Sequence, residues 1–139
     1  MSLASASKSG GKLVETIEEF SHLVLNPEDM QRKPIMVFFT APWCGPCRLS
    51  IPVVKDIIKQ FAGQINAVEV CTDDLPEAAA QSGVVSIPTI QMYFQGELMD
   101  TIVGCVAKSV LANSVEKLLE DVAARLGTDG SSTDAEYPK

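Results

Sequence analysis

The sequence predicts an α/β fold: a mixed central sheet of about five strands flanked by four helices. Three observations carry that expectation. The run Ile35–Thr40 is continuously apolar and β-prone, as suits a central strand buried on both faces. Segments with a helical apolar period alternate with short strand-like runs over most of the chain. The order β-α-β-α-β-α-β-β-α places parallel crossovers first and an antiparallel hairpin last.

The elements follow in order. A short first strand is expected at Leu13–Glu15. Thr16-Ile17-Glu18-Glu19 reads as a capping box, with Thr16 as the cap and Glu19 reaching back. Ile17, Phe20, Leu23 and Val24 then line one helix face, and Asn26-Pro27 ends it. After the central strand, a second helix begins near Cys44. Ile51, Val54, Ile57, Ile58 and Phe61 form its apolar face, and Pro52 interrupts its interior. Ile65–Val70 is the third strand. Asp73 or Asp74 is expected to cap a short helix through Ala78–Ala80. Thr89–Phe94 and Leu98–Val103 are strands joined by a tight turn at Gln95-Gly96. The last helix, Lys108–Leu126, carries Leu111, Val115, Leu118, Leu119, Val122 and Leu126 at helical spacing and stops at Gly127.

Composition narrows the function. The 139 residues suit one domain, and 46% hydrophobic content supplies a core. Polar, small-residue stretches make 1–11 a flexible N-terminal segment and 128–139 a flexible tail, leaving 12–127 as the domain. A formal net charge of -7 argues against a nucleic-acid partner, which requires clustered Lys and Arg. No apolar run approaches the roughly 20 residues that span a bilayer, so no membrane partner is expected. Met1–Lys12 lacks the apolar core of a secretory signal. It reads as a leader or as the remnant of an organelle transit peptide. The expected location is the cytoplasm, with the chloroplast stroma or another reducing organelle as the alternative.

The chemistry concentrates in Trp43-Cys44-Gly45-Pro46-Cys47. Cys44 follows a strand and opens a helix, where unpaired N–H groups and the positive dipole end stabilise a thiolate. Two intervening residues put both sulfurs on one turn, close enough to bridge. Gly45 lets a partner backbone approach, and Pro46 fixes φ at the helix start. Cys44, on the loop side, is the expected nucleophile toward a substrate disulfide. Cys47, one turn in, then attacks Cys44 and releases the reduced substrate. Ile87-Pro88-Thr89 precedes the fourth strand, and Pro88 is a candidate cis peptide. A zinc site would need two further ligands, and Cys71, Cys105 and His22 are scattered singles, so no metal is expected. Ser50 lacks a nucleophile-elbow context.

Over Lys12–Leu126 these features resemble the thioredoxin family. The cysteine pentapeptide matches its active-site motif, Pro52 its helix proline, Ile87-Pro88-Thr89 its cis-proline loop, Gly96 its hairpin turn and Gly104 its substrate-groove glycine. The resemblance implies a thioredoxin fold and a protein-disulfide reductase cycling between dithiol and disulfide. It implies no cofactor beyond that disulfide. The implied partners are disulfide-containing proteins and a thioredoxin reductase or equivalent thiol donor, with the chain acting as a monomer. It also implies substrate contacts at Trp43, Gly45, Pro46, Ile87, Pro88, Thr89 and Gly104.

Two positions depart from the family. The buried Asp usual six residues before the first cysteine is Phe38 here, and the Lys of the next strand is Glu69. Phe38 should dry the pocket behind Cys47 and raise the cost of its thiolate. Glu69 is the candidate for proton transfer in the missing acid's place, provided its side chain reaches inward. The same pair of departures resembles the thioredoxin domain fused to chloroplast NADPH-dependent thioredoxin reductase, a pointer to plastid kinship. Cys71 ends a strand and reads as a small buried hydrophobe. Cys105 follows Gly104 and is a candidate regulatory thiol. The competing functional class is a binding or regulatory subunit of the same fold with secondary redox activity.

Overall fold

The structure is a computed structural model that describes residues 7–26 and 33–127. Residues 1–6 of the expected N-terminal segment, the whole of the expected tail 128–139, and Pro27 lie outside the described residues. Five strands form one sheet in the order β1-β3-β2-β4-β5, with β1 at Lys12–Leu13, β2 at Ile35–Thr40, β3 at Asn66–Cys71, β4 at Thr89–Phe94 and β5 at Glu97–Val103. The β1–β3 and β3–β2 pairs are parallel, and the β2–β4 and β4–β5 pairs are antiparallel. This is the expected mixed sheet. The first strand is shorter and one residue earlier than the expected Leu13–Glu15, although the Val14 N–H still bonds the Glu69 carbonyl of β3 at 2.9 Å.

The helices are α1 at Ile17–Phe20, α2 at Gly45–Gln60, α3 at Pro76–Gln81 and α4 at Lys108–Leu126. A π-helical turn, Ser21–Leu25, continues α1. The cap of α1 is half of the expected box. Thr16 Oγ1 accepts the Glu19 N–H at 3.0 Å, but Glu19 reaches past Thr16 to the Glu15 N–H at 2.9 Å. Lys12 pairs with the other Glu19 oxygen at 2.9 Å and draws the carboxylate that way.

Alternation along β2 divides the core. Met36 and Phe38 face α2 and α4, packing with Val54, Ile57, Leu111 and Val115. Ile35, Val37 and Phe39 face α1 and α3, packing with Phe20, Val24, Leu75 and Ala78. All six β2 residues are buried, which explains the continuous apolar run. Each such large side chain, buried in full, contributes about 1.5–3 kcal/mol.

The β4–β5 turn puts Gln95 at φ 51° and Gly96 at φ 86°, the left-handed pair that a two-residue hairpin requires. Pro52 lies inside α2 and leaves the Arg48 carbonyl without its helical donor. Asp73 and Asp74 do not cap α3. Leu75 holds the cap position with no side-chain bond, and Pro76 opens the helix. Among the described residues, no helix is long and apolar enough to cross a membrane.

Residues 8–11 depart from the expected free segment. Ser9 is 1% exposed, and the segment lies against β3, tied to Glu69. Small side chains are what this close approach needs. A Cβ on Gly11 would sit 3.3 Å from the Ala67 and Val68 backbone.

Candidate active site

β2 ends at Thr40, and α2 begins five residues later. This strand-to-helix junction places Cys44 at the N-cap of α2 with φ -82° and ψ 106°. A cap residue offers an acceptor to the orphan N–H groups of the first turn. Here that acceptor is sulfur: Cys44 Sγ accepts the Cys47 N–H at 3.1 Å. Pro46 fits in the first turn because its missing N–H would have no helical partner there. Cys44 and Cys47 are joined by a disulfide, their Cα atoms 5.3 Å apart.

Exposure does not separate the two cysteines as expected, since Cys44 is 3% exposed and Cys47 1%. What separates them is electrostatic. Charge developing on Cys44 Sγ as the disulfide opens meets an N–H donor and the helix dipole. Cys47, one turn inside, packs with Ala41 and Cys44.

Around the pair, Trp43 is 68% exposed, more than half-exposed packing would give. Its indole Nε1–H donates to both Asp73 oxygens, at 3.1 and 3.0 Å. Asp73 thus holds the tryptophan rather than a helix cap. No local pattern signals a pair separated by 30 residues. The Ile87-Pro88 bond is cis, as expected. Gly45 and Pro46 are exposed, Ile87 is half-buried, and Pro88 is buried. Thr89 differs from the substrate-contacting expectation for its side chain. It is 2% exposed, and its hydroxyl donates inward to the Ser86 carbonyl at 2.6 Å. Gly104 has φ +90° with open space where a Cβ would stand, and its N–H donates to the Pro88 carbonyl at 2.9 Å.

Phe38 is 1% exposed and stands in register with Glu69 on β3 and Ile90 on β4. Glu69 does turn inward, being 3% exposed. Its Oε1 accepts the Lys8 N–H at 3.0 Å, the Ser9 N–H at 3.0 Å and the Ser9 hydroxyl at 2.7 Å. Its Oε2 accepts the Lys8 N–H at 3.2 Å. A cavity of about 260 Å³ is lined by Glu69 together with Cys44, Cys47, Arg48, Thr40 and Cys71. Cys71 is half-buried rather than sealed in the core. Burial pushes its thiol above the usual range, and the Asp74 and Asp73 backbone donors pull partly back. Cys105 is exposed, and its thiol lies against the Pro46 carbonyl at 3.0 Å. His22 is exposed, on the π-helical turn after α1. Among the described residues, no three or more His, Cys, Asp or Glu side chains are grouped to hold a metal ion.

The thioredoxin family model matches residues 12–117. The chain belongs to the thioredoxin family. It is 48% identical over 86 residues to thioredoxin 1 of Synechococcus elongatus, a match covering 62% of this chain and 80% of that protein. It is 44% identical over 88 residues to the chloroplastic M-type thioredoxin of Brassica napus, covering 63% of this chain and 50% of that one. The chain therefore spans about half the length of the chloroplastic relative. In fold, it superposes on thioredoxin from Trypanosoma brucei brucei with a TM-score of 0.71 at 21% identity, covering 84% and 96% of the two chains. As a thioredoxin, it is a thiol–disulfide oxidoreductase that reduces protein disulfides, and its Cys44–Cys47 pair is consistent with the family's WCGPC active site.

Proposed function

We propose that Cys44 attacks and Cys47 resolves. The Cys44 thiolate attacks one sulfur of a substrate disulfide, forms a mixed disulfide and expels the second substrate sulfur as a thiolate. The Cys47 thiolate attacks Cys44 Sγ, forms the intramolecular disulfide and releases the first substrate sulfur. Two electrons pass to the substrate, and a reductase or a small dithiol returns them. The observation that carries this order is the Cys47 N–H bond to Cys44 Sγ, which favours negative charge on the capping sulfur.

Glu69 takes the proton of Cys47 through the shared cavity, whose volume of about 260 Å³ far exceeds the roughly 10–15 Å³ that one water needs on the same measure. Its Oε2, with one 3.2 Å donor, is the oxygen open to receive it. Substrate lies as an extended chain between Trp43, Gly45 and Pro46 on one side and Ile87, Pro88 and Gly104 on the other. Thr89 supports the loop from below. The chain acts as a monomer in a reducing compartment. That compartment is the cytoplasm, with the stroma as the alternative that the chloroplastic M-type relatives support.

The test is the Cys47→Ser variant mixed with disulfide-containing proteins. It should accumulate mixed disulfides on Cys44, while Cys44→Ser accumulates none. Adducts that form on Cys44→Ser and not on Cys47→Ser would reverse the assignment, and equal adducts on both would abolish it.

A further inference from the structure

Two neighbouring residues bridge the two walls of the groove. On one side, the Gly104 N–H donates to the carbonyl of the cis proline, Pro88, at 2.9 Å. On the other, the Cys105 thiol donates to the carbonyl of Pro46, the residue between Gly45 and Cys47, at 3.0 Å. Ser50, 5% exposed and one turn further along α2, donates its hydroxyl back to Cys105 Sγ at 3.5 Å. The segment after β5 is thus pinned to the cis-proline loop through its backbone and to the cysteine-bearing turn through a thiol.

The two bonds differ in kind. The Gly104 bond is backbone to backbone, so no substitution removes its donor except proline. The Cys105 bond depends on a side chain. A thiol is a weak donor, but its reach suits the gap, and Ser50 fixes where the sulfur sits.

We propose that Cys105 is a positioning residue for substrate binding. Through Pro46 it holds the first turn of α2 at a set spacing from the cis-proline loop, and so determines how firmly an extended protein substrate is gripped. A small disulfide needs only the sulfur of Cys44 and is indifferent to that spacing. The inference rests on the groove assigned above.

The test compares wild type with Cys105→Ala and Cys105→Ser. Each protein is reduced with dithiothreitol, freed of reductant, and mixed with insulin or with a small aromatic disulfide. Oxidation is read by the fluorescence of Trp43. Cys105→Ala should lower the insulin-to-small-disulfide rate ratio about three- to ten-fold, the scale of one lost hydrogen bond, chiefly by raising the half-saturating insulin concentration. Cys105→Ser keeps a donor and should restore most of the ratio. An unmoved ratio in Cys105→Ala overturns the inference. So does a Cys105→Ser as impaired as Cys105→Ala, which would assign the effect to sulfur packing.

A Pro88→Ala control separates this inference from the groove itself. If Pro88→Ala lowers the ratio and Cys105→Ala does not, the groove stands and the Cys105 role falls. If neither lowers it, both fall. Melting temperatures of all variants exclude global unfolding as the cause.

Discussion

The Ser9 hydroxyl donates to Glu69 Oε1 at 2.7 Å, and both residues are shut away from solvent. A carboxylate buried on a strand costs several kcal/mol unless its oxygens are met by donors. In this chain the segment ahead of β1 supplies them, through two backbone N–H groups and one hydroxyl. Ser9→Ala should destabilise the protein by about 1.5–3 kcal/mol, the range for a hydrogen bond to a charged group. Urea unfolding measures it. An unchanged midpoint would mean that the segment contributes nothing to holding Glu69.

Phe38 is the second departure with consequences. Phe38→Asp places a carboxyl in the layer formed by Val54, Ile57 and Leu111, with no donor prepared for it. Stability should fall by about 3–5 kcal/mol. The variant should also release mixed disulfides faster near neutral pH, because it restores the carboxyl that the family resemblance places behind Cys47. Turnover followed against pH tests this. A profile that superposes on that of wild type would show that the missing acid is irrelevant here.

Asp73→Ala should free the Trp43 indole from its two acceptor oxygens. Protein-disulfide reduction should drop about three- to ten-fold, corresponding to one lost hydrogen bond. Stability should barely change, since both side chains are exposed. Asp73→Asn keeps an acceptor and should recover most of the activity. Equal rates in all three proteins would leave the indole contact without function.

The thiol of Cys71 is raised by burial, so less of it is thiolate at any given pH than for a free cysteine. With the Cys44–Cys47 disulfide intact, iodoacetamide should label exposed Cys105 first. Labelling of Cys71 should climb only as pH passes above the ordinary thiol range. Peptide mass spectrometry gives both rates. Faster labelling of Cys71 at neutral pH would contradict the burial seen here.

The elements read from the sequence were those with a period or a punctuating residue. Ile35–Thr40, Thr89–Phe94 and Lys108–Leu126 match the observed β2, β4 and α4 to the residue. Burial on both faces, a two-residue turn and a glycine stop each leave a local mark. The cysteine pair and Pro88 were legible for the same reason. The partners of these residues were not. Asp73 looked like a cap because an Asp before a helix usually is one, yet the indole of Trp43 holds it from across the site. Ser9 looked like linker because Ser, Gly and Lys compose linkers. Its burial is set by Glu69, 60 residues away. Contacts of that span follow from sheet order, which puts β3 between β1 and β2.

The anchoring of Lys8 also has a practical side. Lys8 lines the same cavity as Cys44 and Cys47. Its exposed side chain therefore stands at the rim of the catalytic cavity. A solvent-sensitive dye attached there would act as a built-in gauge of whether the dithiol is open or closed.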